Sequence, residues 1–212
     1  MSNFWKRRKK RVFLGKIVNL FLSADFHFGH FNCIRYCGRP FTTSQEMDEQ
    51  IVANVNKIVG EKDLLWFLGD FAFVKTAEQA ETYRKRIRCK NIRLVLGNHD
   101  RLKILKSSFP EICSLVDFRY DNVNFVFCHY AMRVWNRSHY SSVHCFAHSH
   151  GTLTDDPNSL SFDIGIDAVA KRLAKENNTP ILPEYYRPVS YDEVKKWMAT
   201  KTFKPIDHHG GG

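Results

Sequence analysis

The sequence predicts an α/β fold. Three observations carry this: short apolar, β-prone runs recur along the chain, helical patterns fall between them, and capping signals open the helical stretches. With 43% hydrophobic and 14% aromatic residues in 212, the chain has enough apolar side chains to fill a sizeable core.

Residues 1–12 read as a basic arm, in which Lys6–Arg11 ("KRRKKR") supplies +6 of a formal net charge of +10. Such an arm suits nucleic acid or an acidic surface, or is a solvated terminus. Lys16 and Asn19 interrupt any apolar leader, and no small-residue cleavage site follows, so residues 17–24 are expected to form a strand. No run of about 18 apolar residues marks a membrane span.

The main domain is expected over residues 13–203. Thr43 with Glu46 makes a capping-box pattern ahead of Met47, Ile51, Val55 and Ile58, an apolar stripe at helical spacing. Thr76 with Gln79 repeats the signal before "AEQAETYRKRIR", whose run Arg84–Arg88 is a solvated helix face or an extension of a nucleic-acid track. "VDFRYDNVNFVFCH" reads as a β-hairpin turning at Asp121–Asn122. Residues 168–186 look like an inserted excursion, a candidate rim or lid. Ser190 with Glu193 caps a last helix, and residues 204–212 form a flexible tail in which His208 and His209 are incidental.

Cys33, Cys37, Cys89, Cys113, Cys128 and Cys145 show no disulfide framework. Several sit in apolar runs as reduced core thiols do, which points to a reducing cytoplasm.

One arrangement recurs five times: an apolar run, then a polar ligand-type residue at its carboxyl end. "VNLFLSAD" delivers Asp25 and His27; "LLWFLGD" delivers Asp70; "IRLVLGNHD" delivers Asn98, His99 and Asp100; "NFVFCH" delivers His129; "VHCFAHSHG" delivers His148 and His150. Sites in α/β sheets gather at the carboxyl ends of strands, so these five segments can converge. In extended chain, residues two apart point the same way, so Asp25 with His27, and His148 with His150, can each grip one ion. Gly69 and Gly97 allow sharp turns and close approach. The mixed oxygen and nitrogen donors suit Mn²⁺, Fe²⁺, Zn²⁺ or Ni²⁺ better than Ca²⁺. Seven ligands exceed the three or four of one catalytic zinc; two ions sharing Asp70 would use them all.

The motifs "DFH" (Asp25–His27), "GD" (Gly69–Asp70), "GNHD" (Gly97–Asp100), "CH" (His129) and "AHSHG" (Ala147–Gly151), in this order, resemble the calcineurin-like metallophosphoesterase superfamily. "HFGHFNCIRYCGRPF", "WNRSH" and "YRPVSYDEV" are similar to a small bacterial and phage subgroup of it. The resemblance implies a four-layer α/β/β/α sandwich of two mixed β-sheets, with a binuclear site on the loops after the strands. It implies that Asp25, His27 and His150 hold one ion, that Asp70 bridges, and that Asn98, His129 and His148 hold the other. His99 would steady the phosphoryl group or protonate the leaving oxygen, with Asp100 orienting its ring. The implied activity is hydrolysis of phosphate esters by a metal-bridging hydroxide, with two divalent ions, manganese first and iron, zinc, nickel or magnesium as alternatives. Ala147 stands where the family usually has Gly; were its φ positive, Ala would cost about 1 kcal/mol or more.

His30 is expected to contact substrate, orient His27 or cap the next turn, and Arg137 with His139 to bind a phosphate. Arg39 reads as structural. A competing reading makes His27, His30, Cys33 and Cys37 a structural zinc site. The substrate class ranges from small phosphodiesters and phosphomonoesters to nucleic acid recruited by the basic arm, as in a nuclease or end-processing enzyme. A non-catalytic scaffold is the alternative from another class.

Overall fold

The apolar runs bury both faces of their strands. The computed structural model describes residues 18–206; the basic arm of residues 1–12, and His208 and His209, lie outside the described residues. The strands in chain order are β1 (Leu20–Ser23), β2 (Leu64–Phe67), β3 (Asn91–Val95), β4 (Ile112–Cys113), β5 (Leu115–Tyr120), β6 (Val123–Cys128), β7 (Val143–Phe146), β8 (Ser161–Asp163) and β9 (Val189–Ser190). They form one sheet of order β4-β3-β2-β1-β9 and a second of order β5-β6-β7-β8. Both sheets are mixed: β9 runs antiparallel to β1 in an otherwise parallel sheet, and β5 antiparallel to β6 in the other.

The helices are α1 (Phe31–Cys37), α2 (Ser44–Ile58), α3 (Ala77–Arg86), α4 (Leu102–Leu105), α5 (Ile166–Asn177) and α6 (Tyr191–Ala199). Residues of the first sheet alternate between two cores, as period-two geometry demands. Phe21, Leu65, Phe67, Ile92 and Leu94 face α2 and α3. Leu20, Leu22, Trp66, Leu68 and Val95 face the second sheet at Phe125, Phe127, Val143, Cys145 and Phe162. Met47, Ile51 and Val55 are fully buried at four-residue spacing on α2, each contributing about 1.5–3 kcal/mol. The far side of the second sheet meets the loop between β6 and β7, where Trp135 packs on His144. The two-sheet sandwich flanked by helices is the architecture expected from the motifs.

Local signals mark most helix starts. The boxes at Thr76/Gln79 and Ser190/Glu193 close reciprocally. At α2, Thr43 accepts from Glu46 N, but the Glu46 carboxylate reaches one residue further back, to Thr42 N and Oγ1. Asp121 and Asn122 turn the β5–β6 hairpin with φ of 45° and 63°, as a two-residue I′ turn needs.

Residues 168–186 are woven into the sandwich. On α5, Ala170 packs in the outer core and Val169 and Leu173 in the inner one. Beyond it, Asn54 Nδ2 donates to the carbonyls of Pro183 and Tyr186. Among the described residues, no helix is long and apolar enough to cross a membrane.

Candidate metal centre

The site is built where β1, β2, β3, β6 and β7 end. The parallel ladder of β1 and β2 continues past the strands as an irregular one: Leu68 N donates to Ser23 O, Asp25 N to Gly69 O, His27 N to Asp70 O and Phe28 N to Phe71 O, at 2.7–3.1 Å. Ligand-type residues here hold a conformation that side-chain-bearing residues rarely adopt. Asp25, His27, Asp70, His148 and His150 all have positive φ, between 49° and 68°.

That finding corrects the extended-chain argument. His148 and His150 do not turn toward one ion; their ligand atoms fall in different groups. Asp25, His27 and His150 converge within 4.8 Å, and so do Asp70, His129 and His148. Asp25 and His27 still converge, through two left-handed residues rather than through period-two alternation. Ala147 is not among the positive-φ residues, so the strain considered for it does not arise.

Gly69 has φ +99°, and a Cβ there would lie 2.6 Å from both Gly97 N and His129 Nδ1. A Cβ on Gly97 would strike the Asp70 carboxylate. Gly69→Ala is therefore expected to lower stability by at least about 1 kcal/mol from backbone conformation alone, or at least about 2–4 °C in Tm. A thermal melt indistinguishable from the parent's would refute the close packing of the two turns.

Asp70 sits between the groups. Its Oδ2 lies 3.5 Å from His27 Nε2 and 3.4 Å from His129 Nε2, while Oδ1 accepts from His99 N at 2.9 Å. Asn98 Oδ1 is 3.1 Å from His129 Nε2 and 2.9 Å from His148 Nδ1. The outer nitrogens of two histidines are pinned. His129 Nδ1 donates to Leu68 O at 2.7 Å and His150 Nδ1 to Asp167 Oδ2 at 2.7 Å, so each Nε2 is left for the cluster.

This donor set fits a cation. Asp25 Oδ1 and His27 Nε2 are buried with no hydrogen-bond partner, an expensive state for polar atoms that face one another. Pinning Nδ1 of His129 leaves a lone pair of Nε2 aimed at acceptor oxygens of Asn98 and Asp70. A proton or a metal ion must lie between them.

Protons are held accordingly. Burial pushes the Asp25 carboxyl up to about 8. Burial pulls His150 down, but Asp167, Cys37 and Asp25 outweigh it and lift the imidazole to about 10. Burial drives His27 down to about 3. Asp70 is raised by burial but more strongly lowered by His129, His99 N and His27, to about 2. For Asp25 and His150 the folded values lie above the ordinary 3.8 and 6.5, so the folded state binds more protons. Their stabilisation is full below the ordinary values and is lost as pH climbs through the raised ones. His27 acts oppositely, but only below its ordinary 6.5. Chelator-treated protein is therefore expected to lose Tm between about pH 7 and about pH 9, with Mn²⁺ restoring more at the higher pH. A Tm independent of both pH and Mn²⁺ would contradict this arrangement.

Asp100 does not orient the His99 ring. Its Oδ2 accepts from Asp70 N and Gly97 N, and Oδ1 from Phe71 N, at 2.8–3.0 Å. Three backbone N–H groups left over where two strands end are satisfied by one carboxylate, which ties the turns together. The His99 ring is exposed, with its centroid 5.2 Å from that of His27. His30 occupies the N-cap position of α1 without a side-chain cap bond. Its ring stacks on Phe73 at 4.5 Å and lies 5.5 Å from His27. Arg137 is exposed on the β6–β7 loop; His139 packs against Tyr140 and belongs to none of the clustered groups.

Three supporting residues carry no sequence signal of their own beyond "DIGIDA". Asp163 accepts from Ser149 Oγ, Gly151 N and Gly165 N, bracing the His148–His150 loop. A Cβ on Gly165 would strike Asp25 Oδ2. Asp167 grips His150 and also receives both arms of Arg39, whose guanidinium donates further to the carbonyls of Asp25 and Phe26. Arg39 is thus structural, and it steadies the first metal-type group from below.

The competing zinc set splits. His27, His30 and Cys33 approach within 4.8 Å, but Cys37 groups instead with Cys33 and His150.

No protein-family model matches the chain. It is similar to the uncharacterized protein MJ1445 of Methanocaldococcus jannaschii, with 38% identity over 84 residues, 39% of this chain and 47% of that protein. The chain thus matches about half the length of that curated relative. Among solved structures, a protein of unknown function, AQ665 from Aquifex aeolicus, superimposes with TM-score 0.59 at 18% identity, covering 85% of this chain and all of that one. That likeness is one of fold. An uncharacterized protein from Streptococcus pneumoniae TIGR4, a predicted phosphoesterase, gives TM-score 0.40 at 10% identity over 72% of this chain and 73% of its own. YfcE, a phosphoesterase from E. coli, gives 0.38 at 13% identity over 70% and 79%.

Proposed function

We propose that this chain hydrolyses phosphate esters with two divalent ions, manganese first among them, held by Asp25, His27, Asp70, Asn98, His129, His148 and His150. The observation that carries this reading is the position of Asp70 Oδ2, within 3.5 Å of a histidine nitrogen from each group. Bound there, paired ions supply Lewis acidity toward the phosphoryl oxygens and acidify a water.

The chain's own groups do the rest. Leu68 O and Asp167 keep the ring nitrogens of His129 and His150 turned inward. Asp70 holds His99 N, which places that exposed imidazole at the mouth, where it steadies the phosphoryl charge or protonates the leaving oxygen. His30 stacks on Phe73, which with Gly29, Tyr83 and Arg86 lines a cleft of about 390 Å³, room for the organic part of an ester.

The test is turnover of an aryl phosphodiester with Mn²⁺ supplied, followed by mono-, di- and cyclic phosphates and oligonucleotides. Mn²⁺-dependent hydrolysis abolished by chelator is expected; turnover indifferent to chelator overturns the reading. His99→Ala is expected to slow turnover by about 10²-fold or more while both ions stay bound. Loss of metal from that variant, measured by elemental analysis, would reassign His99.

The Lys6–Arg11 cluster favours a nucleic-acid substrate as the second reading. Removing residues 1–12 would then abolish a steeply salt-dependent affinity for oligonucleotides. Unchanged oligonucleotide binding without the arm rejects it.

A further inference from the structure

We propose that Cys33, Cys37 and His150 form a separate site for a thiophilic divalent ion of the zinc and cadmium class. This site competes with the Asp25–His27 pair for the one free nitrogen of His150.

Helix α1 carries Cys33 and Cys37 one turn apart on the same face, with their sulfurs 3.6 Å apart. Two thiolates on one tetrahedral zinc, with bonds of about 2.3 Å, stand about 3.8 Å apart. The sulfur pair is therefore already at the spacing of a shared ion. A ligand nitrogen of His150 lies within 4.8 Å of both sulfurs. Its Nδ1 is engaged by Asp167, so the nitrogen offered is Nε2.

His150 also stands within 4.8 Å of Asp25 and His27. One imidazole thus stands within ligand reach of two sets of partners of different chemistry. The carboxylate and imidazole side suits borderline ions, and the dithiol side suits soft ones. Cys33 is buried, whereas Cys37 is half-buried and ends the helix beside Gly38, which gives an ion a way in. Binding needs no oxidant: the ion takes both sulfurs as thiolates and releases their two protons to solvent.

Occupation of this site withdraws His150 from the ion it shares with Asp25 and His27, so a thiophilic ion lowers manganese-dependent turnover. That consequence rests on the proposed hydrolysis; the binding itself does not.

The test titrates reduced, chelator-stripped protein with Cd²⁺ and follows the ultraviolet thiolate-to-cadmium charge-transfer band. The band is expected to saturate at one equivalent. It should vanish in Cys37→Ser, whose circular dichroism and Mn²⁺ content match the parent's, and His150→Gln should weaken Cd²⁺ binding by about tenfold or more. Absence of the band, its persistence in Cys37→Ser, or unchanged affinity in His150→Gln overturns the site. Protein that shows the band but hydrolyses no phosphate ester keeps this site and discards the hydrolytic reading. Protein that hydrolyses with Mn²⁺ but shows no band does the reverse. If both hold, Cys37→Ser should retain parental turnover and lose its inhibition by Cd²⁺.

Discussion

Asp70→Asn is expected to depress hydrolysis of an aryl phosphodiester by on the order of 10³-fold or more while the protein stays folded. The substitution keeps the shape and the acceptor oxygen that receives His99 N at 2.9 Å. It removes the negative charge and the second oxygen, the one within 3.5 Å of both His27 Nε2 and His129 Nε2. In the metal-free protein Asp70 is held ionised, its carboxyl lowered to about 2 because His129, His99 N and His27 outweigh burial. An amide cannot bridge two cations as a carboxylate does, so metal stoichiometry should fall with activity. Parallel elemental analysis and thermal melts separate loss of ions from loss of fold. Parental turnover in this variant would end the two-ion reading.

Arg39→Met is expected to have the largest effect on stability. The guanidinium and the Asp167 carboxylate pair in bidentate fashion at 2.7–2.8 Å, with side chains 0% and 2% exposed. Removing one partner leaves the other as a buried, uncompensated charge, at a cost of about 3–5 kcal/mol, or roughly 6–20 °C in Tm. Two buried carbonyls, those of Asp25 and Phe26, lose their donors as well. Asp167 also holds His150, so metal affinity should fall along with Tm. A melt within a degree or two of the parent's would mean that Asp167 finds another partner or binds a proton without penalty. The double variant Arg39→Met/Asp167→Leu should recover part of the lost stability, because it removes the orphaned charge.

Much of the fold was legible for local reasons. "LFLS", "LLWF" and "VHCF" read as strands because they are short, apolar and β-prone; the first two bury both faces between two cores, and the third between the inner core and the β6–β7 loop. The stripe of α2 and the hairpin turn at Asp121–Asn122 were equally plain. The proposed ligands could be picked out because carboxylates, imidazoles and an amide stood where apolar runs stopped.

The failures share a different cause. Period-two alternation needs extended backbone, and His148 and His150 take positive φ instead. Adjacency couples Asp100 to His99, yet its partners are backbone N–H groups as far as 30 residues away. Asp167 has no local signal because its partner Arg39 lies 128 residues distant.

By itself the sequence determined which side chains of metal-binding chemistry end which strands, since hydrophobic patterning and residue type are properties of the neighbouring chain. Tertiary structure alone decided how those side chains are grouped, which carboxylates brace rather than bind, and that His150 stands between two sets of partners. Those outcomes depend on left-handed turns and on contacts between distant segments. They exist only once the two sheets pack and the strand ends meet.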